Sequence, residues 1–312
     1  MNLPSKGILL DILKGSAATV ALFLAYASLP LVGVLGGMLA PLPATFYSLR
    51  LGRGAGGAIV IVSASLLGLV ADSRILVLYL LQAATVSVLL PIFLQAKGVA
   101  RSIVLAAASS LAIMVIASFG YSMVSGINLD AEIQKWLGAG IAQTAALYSK
   151  SGLKDAELQA LKDGLQQAGS VMVRVYPAML AISQAFIVII TMLAIAGFVR
   201  RGQLQLAMGE FSEFRNSDHL IWLLIVSGFA LLIPDALVAR VALNVLLVVC
   251  FAYFFQGLAV MANFFTRFAV PAVGRFLFYT FLVLQPYLLA GVAILGIFDM
   301  WGNFRAPKQQ NL

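Results

Sequence analysis

Long apolar runs separated by short charged patches dominate the chain. Charge-free stretches cover 17–49, 54–71, 75–96, 102–129, 175–199, 220–234, 241–266 and 276–298. A hydrocarbon core of about 30 Å takes about 20 apolar residues as a helix, because lipid offers no partner to backbone N–H and C=O groups. Most stretches have that length. The first would run about 50 Å as one helix, too long for a single crossing. Pro30 divides it. This predicts a span over 8–29, a tight turn at Pro30-Leu31-Val32-Gly33, and a span over 33–49 that Pro41 and Pro43 kink or break. The stretch 220–234 reaches only about 22 Å, which predicts a short tilted span or a re-entrant segment. The expected fold is an all-α, polytopic transmembrane helical bundle of nine spans, with eight as the alternative.

One region breaks the pattern. Residues 125–174 are polar and carry charges of both signs. Asn128-Leu129-Asp130-Ala131-Glu132 opens a helix, with acidic residues in its first turn. Ser151-Gly152 marks a turn, and a second helix follows from Lys154 with Leu158, Leu161 and Leu165 on one face. The reading is an extramembrane helical hairpin between an N-terminal membrane bundle (1–124) and a C-terminal one (175–312). A smaller element, 203–215, places Leu204, Met208 and Phe211 on one helical face and is expected to lie in the interface plane.

Composition agrees with lipid as the solvent. The 312 residues are 62% hydrophobic and 10% charged, against about a quarter charged in soluble domains. Net charge is +8. Lys and Arg collect in cytoplasmic loops. With the N-terminus inside, Lys6/Lys14, Arg50/Arg53, Lys97/Arg101 and Arg200/Arg201 all fall inside. The pairs Arg267/Arg275 and Arg305/Lys308 fall on opposite sides whichever span count holds, so the C-terminal side stays open. The basic excess implies anionic lipid headgroups as partner. No basic soluble face suggests nucleic acid. Lys6 and Lys14 followed by Ala25-Tyr26-Ala27 also fit a cleaved signal peptide, but the apolar run continues to Leu49, and an uncleaved first span is the expectation.

Most site chemistry is excluded. Gly52-Arg53-Gly54-Ala55-Gly56-Gly57 satisfies G-x-G-x-x-G but joins two membrane helices without a preceding strand, so it reads as a turn with close helix approach. No phosphate-binding P-loop motif is present. One histidine, His219, and one cysteine, Cys250, assemble no metal or haem site. No buried serine has a base in its span, and no enzyme is expected. Asp72, Asp235 and Asp299 all stand at span ends. A proton-driven pump needs a titratable group in the core, so an autonomous pump is disfavoured. Neither an ATPase-energised binding subunit nor a passive scaffold is.

Uncharged polar groups at span depth are the candidate ligand-binding residues. Tyr253, Gln256, Asn263 and Arg267 share one helical face. Tyr79, Gln82 and Thr85 form an i, i+3, i+6 set, and Gln184 and Thr191 are seven apart. Asn244 and Gln285 are isolated. An amide in hydrocarbon needs a partner, so these faces point inward, as interhelical glue or as a pocket for a small ligand.

Several motifs carry a family resemblance. They are Leu42-Pro43-Ala44 before Arg50-Leu51-Gly52-Arg53-Gly54; the hairpin ending at Tyr176-Pro177; Phe211-Ser212-Glu213-Phe214-Arg215 before Asp218-His219-Leu220-Ile221-Trp222; Gln256-Gly257-Leu258-Ala259; and Leu295-Gly296-Ile297-Phe298-Asp299 with Phe304-Arg305. In this order they resemble the YybS-like family of bacterial membrane proteins. Residues 8–125 are also similar to the S-components of energy-coupling-factor transporters, through a small-residue first span, a proline-broken second span and a glycine-rich start to the third. In that family an Ala-xxx-Ala motif docks on a transmembrane coupling subunit. Ala17, Ala21 and Ala25 have its spacing, though the same spacing serves ordinary internal helix packing. The resemblance implies a multi-pass protein of the bacterial inner membrane. It would bind or help transport a small molecule with a coupling subunit and an ATPase. The alternative is an envelope scaffold that holds a partner through the outer hairpin.

Overall fold

The computed structural model describes residues 6–29, 32–149, 155–302 and 304–305. Every regular element among them is helical. Of the expected turn Pro30-Leu31-Val32-Gly33, the first two residues lie outside the described residues and Val32 and Gly33 are already helical; Ser151-Gly152, Lys154 and Lys308 also lie outside the described residues.

The chain forms two compact units. One comprises Met1–Ile127 with Leu180–Gly209; the other comprises Asn128–Met179 with Glu210–Leu312. The division falls inside a single long helix, so the polar hairpin groups with the C-terminal half, and the apolar end of its second helix with the N-terminal half.

In unit 1, α1 (Lys6–Ser28) is followed by two short helices, α2 (Val32–Leu39) and α3 (Leu42–Leu51). The break at Ala40-Pro41 is where the prolines predict it, and Pro43 sits in the first turn of α3, where its missing N–H is harmless. Gly52, at φ +102°, separates α3 from α4 (Arg53–Val70). A Cβ on Gly56 would stand 2.5 Å from the Ser48 Cβ, so the glycine run does provide a turn and a close helix contact. Next come α5 (Ser73–Tyr79), a π-helical turn over Leu80–Ala84, α6 (Thr85–Ala96) and α7 (Val99–Ser125), which ends at left-handed Gly126. Val86, Leu90, Val188 and Ile195 form one core; Phe23, Leu67 and Tyr79 form another.

Unit 2 contains α8 (Leu129–Ser149) and the first half of α9 (Asp155–Arg200), then α10 (Leu220–Ala230), α11 (Ala236–Arg267), α12 (Ala272–Leu284) and α13 (Pro286–Gly302). Helices α11 and α13 run antiparallel with glycines at the crossing. A Cβ on Gly257 would lie 1.9 Å from the Val292 carbonyl oxygen, and one on Gly296 2.0 Å from that of Tyr253.

Among the described residues, six helices are long and apolar enough to cross a membrane, or seven counting α12 and α13 as one bent span. The other stretches of the nine-span expectation are those that proline or length interrupts. Residues 33–49 split into α2 and α3. Residues 220–234 give the 11-residue α10. Residues 276–298 bend by 111° at Gln285-Pro286. The segment 203–210 is not helical. Leu204, Leu206 and Met208 pack on the unit 1 core at a spacing of two, as an extended chain does, and Phe211 opens a 3₁₀ turn in unit 2. The helical face drawn through Leu204, Met208 and Phe211 therefore does not form.

Candidate functional site

Polar chemistry gathers at three places, two of them along α11. The first is a break in α9. Pro177 has no N–H to give the Val173 carbonyl, and its ring disrupts the ladder there. Two residues of α11, one turn apart, take over. Arg240 Nη2 donates to the Val173 oxygen at 3.3 Å. Asn244 receives the Ala178 N–H on Oδ1 at 2.7 Å and donates Nδ2 to the Arg174 oxygen at 2.8 Å. One side-chain amide thus stands in for a missing helical hydrogen bond. Asp130, in the first turn of α8, holds Arg240 by two bonds of 2.5 and 2.9 Å and accepts the Tyr176 hydroxyl at 2.9 Å. The Arg240 guanidinium lies 5.4 Å from the Tyr176 ring centre. Its hydrogen bond keeps the Asp130 carboxyl below the usual carboxylate range, against a smaller opposing effect of burial.

The second place is Asp299, fully buried at the end of α13. Arg305 makes a close ion pair with its carboxylate and donates to the carbonyls of Ser212 at 3.0 Å and Phe214 at 2.8 Å. Arg215 caps the Asp299 carbonyl at 3.1 Å. Gln256 Nε2 donates to the carboxylate at 3.2 Å, and the Gln256 oxygen accepts the Asn216 N–H at 3.1 Å. Asp299 does end its own helix, as expected. That end, however, meets α11 about 16 Å short of Arg267 and about 24 Å from Arg240 along the helix. A carboxylate therefore stands inside the apolar stretch of α11, which the chain's linear order conceals. A buried ionised group of this kind is stable only when paired and hydrogen-bonded.

The third place is the interior of unit 1. The hydroxyls of Ser16, Thr19, Thr45, Ser63, Tyr79 and Thr191 are buried without a hydrogen-bond partner. Gly15 abuts Ile59, and Phe23 and Leu67 share one cluster, so the register sets Thr19 opposite Ser63. Tyr79 packs in the same cluster as Phe23 and Leu67.

The expected site residues divide accordingly. Tyr253 and Gln256 are buried; Tyr253 donates to the Met300 sulfur at 3.2 Å. Asn263 is half-buried, and Arg267 is exposed beside Phe268. The upper part of that stripe is thus bonded to protein groups and the lower part is not in the cluster. The π-helical turn lies within the Tyr79, Gln82 and Thr85 set and alters its helical spacing. Tyr79 is buried, Gln82 gives its carbonyl to Gln184 at 3.2 Å, and Thr85 bonds back to Leu81. On α1, Ala17 and Ala21 face outward, while Ala25 packs against Gly33 and Gly36. Arg240 and Asn216 are absent from the sequence reading, and Asp130 and Arg305 enter it only as a helix-opening acid and as part of a closing motif, not as site residues. The available signal was Pro177 within an apolar run, whose freed carbonyl needs a donor.

No curated protein and no solved structure matches the chain. A family model does, over residues 17–300. Those residues include the whole of α11 and Asp299. The chain belongs to the family described as predicted membrane protein (DUF2232).

Proposed function

We propose that this protein is a membrane-embedded binding or transport-associated subunit of S-component type, similar to the YybS-like family. In this reading it resides in the bacterial inner membrane with its N-terminus in the cytoplasm. Unit 1 is the binding module. A coupling transmembrane subunit and an ATPase supply the energy, and the chain itself performs no covalent chemistry.

The observation that carries the reading is the set of unpaired hydroxyls inside unit 1. A buried hydroxyl without a partner costs about 1–3 kcal/mol. Six in one helical unit are hydrogen-bonding groups the fold leaves unused, and a small uncharged ligand or bound water would complete them. The outward face of Ala17 and Ala21 gives a partner helix close access.

A second reading, an envelope scaffold, is favoured by the bracing at the hairpin base, where Asp130 ties α8 to α11. Copurification separates the two. Under the transport reading, Ala21→Leu loses a coupling subunit and ATPase while the protein stays folded, because Ala21 is exposed. Retention of all partners in Ala21→Leu, with their loss on deletion of 129–174, would establish the scaffold instead.

A further inference from the structure

The polar hairpin holds a groove of about 410 Å³ between α8 and α9. That is within the range of small-molecule sites, about 300–1,000 Å³. Leu137, Ile141 and Val173 form a half-buried apolar floor, and Gln134, Gln166 and Arg174 stand exposed at its edge. A Cβ on Gly138 would meet nothing within 4 Å, so that side of the groove is open.

Charge selects the occupant. Arg174 is the one ionisable group among the described lining residues. No carboxylate is among the described lining residues, and the nearby Asp130 is paired with Arg240. A guanidinium offers paired donors that match one carboxylate. A phosphate would call for further cations that the lining lacks. The two glutamine amides suit a neutral amide beside the acid, and the floor suits an aliphatic body. The walls are also preset. The backbone carbonyls of Val173 and Arg174, on the groove, are those held by Arg240 and Asn244 at the Pro177 break.

We infer that the α8–α9 groove is a binding site for a small carboxylate with an apolar body, held by Arg174 at one end and by the Leu137–Ile141–Val173 floor at the other. This site is separate from the buried hydroxyls of unit 1 and stands or falls without them.

Calorimetric titration of the full chain in nanodiscs tests the inference, with N-acetylleucine as probe and its neutral amide as control. The acid binds saturably, and at least tenfold more tightly than the amide. Arg174→Gln, which keeps the backbone carbonyl for Asn244, loses at least tenfold for the acid and nothing for the amide. Gly138→Leu fills the groove and abolishes both. A longer peptide ending in leucine distinguishes sources: equal binding assigns the carboxylate to a protein C-terminus, and binding of the short acid alone assigns it to a free solute. No saturable binding by the wild type, equal affinity for acid and amide, or an unaffected Arg174→Gln overturns the inference.

Discussion

Two carboxylates bond with α11, and each is paired with an arginine, yet their settings differ. Asp130 stays 38% exposed, whereas Asp299 is closed off from solvent altogether. Asp299 has Arg305 as its partner where solvent does not reach. Asp130 serves its arginine instead, orienting Arg240 toward a carbonyl that Pro177 has left open. An ion pair in the interior is a condition of folding, and one at the edge is an aid to positioning.

The largest expected effect follows from this contrast. Asp299→Ala leaves Arg305, whose side chain is 12% exposed, without its counter-charge. Removing one partner of a buried pair costs about 3–5 kcal/mol. Thermal unfolding in detergent should therefore show a much lower midpoint for Asp299→Ala than for Asp130→Ala. A double variant with Arg305→Met should recover part of the loss, since it removes the stranded cation. Equal losses at the two aspartates would erase the distinction drawn here.

The two regions were not equally legible in the sequence. The helical, membrane-spanning character follows from charge spacing alone, because lipid excludes unpaired charge and unpaired backbone alike. The α2–α3 break and the hairpin helices follow from proline and from composition. The Asp299 cluster does not. Gln256 and Asp299 lie far apart in the chain, and the glycine crossing at Gly257 and Gly296 brings them together. Their motifs were visible as separate pieces, but nothing local indicates that they touch. Asn244 was visible as a polar residue without neighbours. Its partner is backbone, and a period of side chains does not reveal a carbonyl that has lost its donor. Of the stripe through Tyr253 only Tyr253 and Gln256 are buried, because helical spacing says nothing of where along a face a neighbouring helix ends.

The middle-sized prediction concerns that missing donor. Asn244→Leu leaves the Ala178 N–H and the Arg174 carbonyl without their present partner, at about 1–3 kcal/mol for each group left buried. In a Pro177→Ala background the same substitution should be nearly neutral. Alanine restores the N–H to Val173, the helix closes, and residue 178 regains its own acceptor. A stability cycle of the four proteins measures this coupling. The same loss in both backgrounds would mean that Asn244 acts through packing, not through the broken ladder.

The smallest effect belongs to Asp130, and its sign is fixed by the direction in which Arg240 moves it. The folded carboxyl titrates below its unfolded counterpart. Its contribution is therefore fully present above the ordinary carboxylate pKa of about 4, and is lost as pH falls through the lower folded value. Solvent reaches the pair, so at neutral pH Asp130→Asn should cost only about 0.2–1 kcal/mol. Unfolding midpoints of wild type and Asp130→Asn, compared from about pH 7 down to about pH 3, should converge in the acid range. Convergence means that the charge on Asp130 is what holds Arg240 against the α9 break. A gap that stays constant across that range would assign the loss to how the amide packs in place of the carboxyl, and the edge pair would then owe nothing to charge.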